Sequence, residues 1–473
     1  AEIAGIIAAQ PYDVVLPLSP TARTAAAPAA PRPEPEPAKP AVTDAAALLD
    51  LAEQHESADR DADLRVTVAA FDERFPNIDA LSPEVAARRL TLLGADLWDA
   101  RDPEGAIRAW ERAAERHVDP ARVSTTRARL GVARCLLGDA ETGLPLVEAD
   151  VAYQEEQGNV AGRARALGRQ ATALLALRRF AEALDVQERA DRVAAEVGDE
   201  RMIARFAARR AQQLVALDRY GEAEKAAAEA ARFYRAHGPA SMLAAVDMMH
   251  GRVAEDPEVA LAAFTEALSI GEPAMALDAR LGRGQALMRL RRAPEAVPDL
   301  VEAVALCAEQ DLGEAGAWVR KELASAYLAA GRLAEAAEVG EEAVAELDRT
   351  DQQAVADDAR LLLATIYREL GENEDALARY DELVGRLGDN PAGLGQIQEC
   401  AGDLLYRMDR DAAAAERFRL AAESLRAAED PVAELRVRRR RADALRWSGD
   451  ADGAQAAAAE ARQRHADLAE QVG

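Results

Sequence analysis

Arginine is the residue of this sequence whose spacing could do chemistry. Arg129, Arg169 and Arg209 recur at intervals of 40, and Arg165 and Arg205 repeat that interval four residues earlier. Arg436, Arg439 and Arg440 form a further group around the run Arg438-Arg439-Arg440-Arg441. A guanidinium is a planar fork of donors that matches a carboxylate or a phosphate through two parallel hydrogen bonds. A line of such forks can hold an anion, but it has no group with which to break a bond. Two readings follow. The arginines hold an acidic segment or the C-terminal carboxylate of a polypeptide, or they pair with Glu and Asp of neighbouring elements and serve packing alone.

Groups that do break bonds lack a working arrangement. A phosphate-binding P-loop needs a glycine immediately before its lysine. The three lysines, Lys39, Lys225 and Lys321, follow Ala38, Glu224 and Arg320. The sequence has no HExxH, GxSxG or GxGxxG pattern. The five histidines (His55, His117, His237, His250, His465) are scattered and read as surface residues. Asp and Glu read as solvated charges on exposed helix faces, in i,i+4 pairs. No catalytic residue, metal ligand or cofactor site is expected, and so no enzyme activity.

Composition narrows the partner. The 473 residues carry 84 Asp plus Glu against 58 Lys plus Arg, a formal charge of -26. That balance argues against DNA or RNA, whose phosphates need a net basic surface. No apolar run is long enough for a membrane span. Cys135, Cys307 and Cys400 stand far apart, which suits neither a disulfide framework nor a CxxC metal pair. A reducing, cytoplasmic setting is expected. The arginine-for-lysine bias, with much alanine, points to a high-GC bacterial genome.

The elements that must position the arginines are helices. Residues 1–18 are partly apolar, and residues 19–42 are rich in Ala and Pro, with Pro31-Arg32-Pro33-Glu34-Pro35-Glu36-Pro37 at the centre. Alternating prolines fix φ and predict an extended linker. At roughly 3.1 Å per residue it is long enough to carry residues 10–18 well across the rest of the molecule, as an internal ligand for the groove or as a motif that docks a partner. From 43 onward apolar residues fall at i, i+3, i+4 and i+7, the period of an amphipathic helix.

That helical part repeats. An alanine marks each unit: Ala106, Ala183, Ala223, Ala260, Ala296, Ala336, Ala376, Ala414 and Ala454, with Gly143 taking its place once. A second small residue, such as Ala113, Ala190 or Ala230, follows seven positions later. Twelve positions before the marker stands Gly or Ala in nine of ten units, for example Gly94, Gly131 and Ala171. Small residues at fixed places on two helices let their backbones approach and interlock. One such hairpin cannot bury its apolar face alone and must stack on the next. Glycine in Leu137-Gly138-Asp139, Ala330-Gly331-Arg332 and Leu370-Gly371-Glu372 supplies the left-handed cap between the two helices.

The pattern resembles the tetratricopeptide repeat (TPR). The clearest copies are Leu323-Ala324, Tyr327, Gly331, Ala336 and Ala343, then Leu363-Ala364, Tyr367, Gly371, Ala376 and Tyr380. The resemblance covers residues 86–473 as about ten units, with residues 43–85 a helical cap or degenerate repeat. It implies an all-α, right-handed superhelical solenoid, of the longer-helix variant found in bacterial regulators. The unit at 242–267 is expected to have a shortened first helix. The resemblance also implies that the first helix of each hairpin lines the concave groove, with Arg129, Arg165, Arg169, Arg205, Arg209, Arg436, Arg439 and Arg440 facing inward. The carboxylate-clamp type of TPR is poorly matched, because Thr172 and Gln212 stand where Asn is expected. Binding of a chaperone C-terminal peptide is therefore not implied. Trp98, Trp318 and Trp447 fall on first helices, and Trp110 on a second helix reads as core.

Two functions fit. One is a non-enzymatic scaffold that binds a partner protein or peptide, acidic in character, in the groove. The other is the ligand-sensing arm of a bacterial signal-transduction NTPase or transcription regulator whose effector domain lies outside this sequence.

Overall fold

The computed structural model describes residues 44–58, 60–388 and 390–472. Residues 1–18 and 19–42, read above as a docking segment and a linker, lie outside them. Among the described residues there are 22 α-helices and no strand, arranged as eleven successive pairs. The described helices fall into two compact units that divide after Ala286, inside the thirteenth helix.

The first unit contains α1 (Ala45–Ser57), α2 (Asp61–Arg74), α3 (Pro83–Asp99), α4 (Pro103–Arg116), α5 (Pro120–Leu136), α6 (Ala140–Glu156) and α7 (Val160–Ala176). It continues through α8 (Phe180–Val197), α9 (Glu200–Val215), α10 (Tyr220–His237), α11 (Ala240–Val253) and α12 (Pro257–Ile270) into α13 (Ala276–Arg289). The second unit holds α14 (Ala293–Glu309), α15 (Gly313–Ala329), α16 (Leu333–Leu347), α17 (Gln353–Leu370) and α18 (Asn373–Arg386). It ends with α19 (Pro391–Arg407), α20 (Asp411–Ala427), α21 (Pro431–Trp447) and α22 (Ala451–Val472). The shortened first helix expected near 242–267 is α11.

Local chemistry sets these limits. Asp102, Asp119, Asp139, Asn159, Asp199, Asn390 and Asp430 each cap a helix, accepting a hydrogen bond from a first-turn backbone N–H. Proline at the first helical position opens α3, α4, α5, α12, α19 and α21, where its missing N–H costs nothing. Gly138, Gly331 and Gly371 have φ of 87°, 74° and 83°, as the hairpin turns require.

The marker alanines are the contact points of each pair. Ala106, Ala183, Ala223, Ala296, Ala336, Ala376 and Ala414 are fully buried. Where Gly143 replaces the marker, the reason is distance. A Cβ built on Gly143 would stand 2.6 Å from the Gly131 carbonyl oxygen, and a Cβ on Gly131 would stand 2.6 Å from that of Gly143. Helices α5 and α6 thus meet backbone to backbone. In the first unit α5 packs on α7 and α7 on α9, so the first helices of successive pairs touch one another directly. No described helix is long and apolar enough to cross a membrane.

Candidate functional site

The N-terminal pair is not simply one more hairpin. Asp44 caps α1, and Leu48, Leu49 and Ala52 pack against Val68 and Phe71 of α2 and Leu92 of α3. The same helix carries Asp50, Glu53 and Glu56 at three-residue intervals, hence along another side. That acidic side meets arginines of the first helices.

On α3, Arg88 donates from Nη2 to Asp50 at 2.6 Å and from Nε to Glu53 at 2.8 Å. On α5, Arg122 holds both oxygens of Glu53, at 2.7 and 3.1 Å, and Arg129 donates to Glu56 at 2.8 Å. On α9, Arg201 donates to the backbone carbonyl of Ala58 at 3.0 Å, and Arg205 to that of Ser57 at 3.3 Å. The C-terminus of α1, where the helix dipole is negative, thus points at two guanidiniums. Burial alone would push the Glu53 carboxyl up, but the bonds from Arg122 and Arg88 outweigh it and hold it below its ordinary range. The Glu56 carboxylate does the converse for Arg129, raising the guanidinium despite burial.

The remaining arginines of the row divide. Arg169 turns toward its neighbouring helix and donates to Asp150 of α6 at 2.5 Å. Asp150 is fully buried and also accepts from Ser124 at 2.8 Å. Burial lowers the Arg169 pKa, and the like charges of Arg129 and Arg165 add to that against the pull of Asp150. Arg209 lies over the ring of Phe206 at 5.9 Å, with Nη1 against Gly168 of α7, a packing position. Arg165 is exposed and has no hydrogen bond or ion pair among the described residues. The row therefore has one open guanidinium on α7, between α5 and α9, whose arginines are already engaged by α1.

In the second unit, Arg436 forks onto Glu399 of α19 with two bonds of 2.8 Å. Arg440 donates to Asp403 at 2.6 Å and lies over the Phe418 ring at 5.4 Å. These two join α21 to α19 and α20. Arg439 is exposed beside Val432 and Leu435 in a shallow groove of about 570 Å³. Trp447, on the same helix, is 70% exposed. Trp110 is buried and stacks at 6.2 Å on Trp98, which makes both part of the packing.

Two expectations about other polar groups are corrected. His117 is buried, not a surface residue: its Nδ1 lies 3.0 Å from Glu84, and its Nε2 3.2 Å from the Thr91 hydroxyl. The order carboxylate, imidazole, hydroxyl is that of a nucleophile relay. Here the Thr91 hydroxyl donates instead to the Ala87 carbonyl at 3.0 Å, and Glu84 also accepts from the Val118 N–H at 2.7 Å. The cluster closes the turn between α4 and α5. Nor are the acids all solvated. Asp150, Asp247 and Glu434 are fully buried, and each has an arginine from another helix as partner. Small alanine-rich helices pack so closely that carboxylates near the seams lose water and need a guanidinium instead.

No family model matches the sequence, and no curated protein matches it. Solved structures do. A signal transduction ATPase with numerous domains (STAND) from Pyrococcus horikoshii, which has a tetratricopeptide repeat sensor, is similar over 73% of this chain, with 13% identity and a TM-score of 0.51. This chain spans about half of that protein, 54% of its length. The apo form of the quorum sensor NprR from B. thuringiensis is similar over 80% of this chain and 98% of its own, at 13% identity and a TM-score of 0.45. The fold is a TPR-type repeat array. In this TPR array the arginines that engage α1 lie on the first helices α3, α5 and α9. Sequence reasoning found Arg129 and Arg205 among them and missed Arg88, Arg122 and Arg201. A signal for Arg88 was present: it stands eighteen residues before Ala106, as Arg165 does before Ala183 and Arg205 before Ala223.

Proposed function

We propose that this protein is a non-enzymatic interaction scaffold, which holds an acidic segment of a partner protein or peptide on the first-helix face of its first unit. The observation that carries the reading is Arg165, exposed and unpaired beside arginines that already hold carboxylates and carbonyls of α1. Guanidinium forks recognise carboxylates by geometry as well as charge. The test is fluorescence anisotropy with a labelled 15-residue polyglutamate peptide at low salt. Arg165→Ala is expected to weaken binding at least five-fold with unchanged circular dichroism. Equal binding by both proteins would overturn the assignment of the face.

The likeness to a STAND protein with a TPR sensor supports a second reading, in which the array is the sensing arm of an NTPase or transcription regulator. A gene sequence that encodes an NTPase or helix-turn-helix domain in the same polypeptide would favour it. A stable complex with such a protein would do the same.

A further inference from the structure

Helix α1 is held on the array largely by charged side chains. Within the later pairs the two helices interlock through small residues, with markers such as Ala183, Ala223 and Ala376 fully buried. Helix α1 turns its apolar side mainly to its own partner α2, through Leu48, Leu49, Val68 and Phe71, and shares a cluster with Leu92 and Val85 of α3 and with Leu81. The rest of its attachment is polar. Glu53 and Glu56 sit in the last turns of the helix, where the dipole already makes negative charge unfavourable. Arginines of α3 and α5 offset that. All three acids are partly solvated: Asp50 keeps 60%, Glu53 30% and Glu56 32% of its side-chain exposure. Contacts of this kind are weakened by salt and by competing carboxylates.

The pattern of the contact also defines what could compete. Acids at i, i+3 and i+6 on one helix meet Arg88, Arg122 and Arg129 in turn. An incoming helix with the same spacing and one more acid would gain Arg165, which α1 does not use. A ligand shifts such an equilibrium only by its differential affinity, and Arg165 supplies that difference.

Resting on the scaffold reading above, we infer that α1 is an exchangeable internal occupant of the arginine row, and that the partner is an acidic amphipathic helix that takes its place. The array then rests in a self-occupied state, and a partner must displace α1 to dock.

The test uses the full-length protein and a fluorescein-labelled peptide with the sequence of residues 44–58. In a charge-reversed variant (Asp50→Lys, Glu53→Lys and Glu56→Lys together) α1 leaves the row. The peptide is expected to bind this variant at least ten-fold more tightly than wild type. Adding Arg122→Ala and Arg129→Ala should remove the gain. Equal affinity for wild type and variant, or a gain indifferent to those two arginines, would overturn the inference. Wild type that scatters light as a dimer, with the variant a monomer, would assign the row to α1 of a second copy and also sink it. Should the variant fail to fold, hydrogen exchange of wild type decides. Amides of residues 45–57 should lose at least ten-fold protection at 0.5 M NaCl while α5 and α7 keep theirs, and unchanged protection of α1 would reject exchange. The polyglutamate assay separates the two claims. If Arg165→Ala weakens polyglutamate binding but α1 never leaves, the scaffold reading stands and the exchange fails. If Arg165 has no effect on polyglutamate, the scaffold reading itself fails.

Discussion

The Glu56 carboxylate, near the end of α1, accepts a hydrogen bond from Arg129, 73 positions later, at 2.8 Å. The carbonyl of the next residue, Ser57, accepts from Arg205 at 3.3 Å. One end of α1 is thereby tied to two first helices, α5 and α9, that are not adjacent in sequence. An ordinary capping repeat would contact its nearest neighbour alone. The Glu56 charge raises the Arg129 guanidinium against its burial.

Arg165 and Arg169 lie one turn apart on α7 and should behave oppositely. Arg169→Ala leaves Asp150 fully buried without its guanidinium, with Ser124 and Gln154 its remaining hydrogen-bond partners. Breaking a buried ion pair from one side typically costs about 3–5 kcal/mol. Arg165→Ala removes an exposed, unpaired group and should change stability by no more than about 0.5 kcal/mol. Urea midpoints of the two variants check this, and a reversed order would mean that Arg165 has the structural role.

Acid should loosen α1. The Glu53 carboxyl is held below its ordinary range by Arg122 and Arg88, acting against burial. A carboxyl lowered in the folded state stabilises fully above its unfolded pKa, and that contribution fades as pH falls through the folded one. Protection of the α1 amides should therefore be constant near neutral pH and decline below the ordinary glutamate value of 4.5. Glu53→Gln should show weaker protection at neutral pH and a flatter decline. A profile identical to wild type would mean that Glu53 does not hold α1.

Asp247 of α11 has the opposite sign. It is fully buried, accepts from Arg235 at 3.3 Å, and has Glu266 as a like-charged neighbour. Burial first, then the Glu266 charge, pushes its pKa up to about 7, against the pull of Arg235. A carboxyl raised in the folded state favours folding while protonated. That advantage is complete below the unfolded pKa and is lost as pH rises toward 7. Asp247→Asn should remove this slope and stabilise the first unit above pH 7, by up to about 4 kcal/mol. Thermal unfolding at pH 5 and pH 8 checks it. A variant no more stable at pH 8 would show that Arg235 fully compensates the charge.

The repeat was legible because close helix packing leaves a mark at fixed positions. Ala183, Ala223 and Ala376 could be placed in the core from spacing alone, and so could the left-handed turns at Gly138, Gly331 and Gly371. The seat of α1 was not legible. Its acids at 50, 53 and 56 look like any solvated face, and their partners lie on helices that only the stacking of pairs brings near. Arg122 and Arg201 stand outside the two positions that the repeat made visible. The charged seams were hidden for a related reason: whether Asp150 is buried depends on how closely α6 and α7 approach, which periodicity does not report.

The closest of those approaches can be tested directly. At Gly131 and Gly143 a methyl group would collide with backbone carbonyl oxygen at 2.6 Å, and backbone cannot turn aside as a side chain can. Replacing glycine by alanine inside an ordinary helix gains about 1 kcal/mol. Here overpacking should outweigh that gain, at a cost of about 1–3 kcal/mol. Gly385, in α18, is the control, since nothing lies within 4 Å of a Cβ built there. Gly385→Ala should stabilise by about 0.5–1 kcal/mol, and Gly131→Ala and Gly143→Ala should each destabilise. Because nearest-neighbour interfaces dominate the stability of a stacked array, the loss should appear first as faster hydrogen exchange in α5 and α6. Stabilisation at all three positions would mean that α5 and α6 stand farther apart than this contact requires.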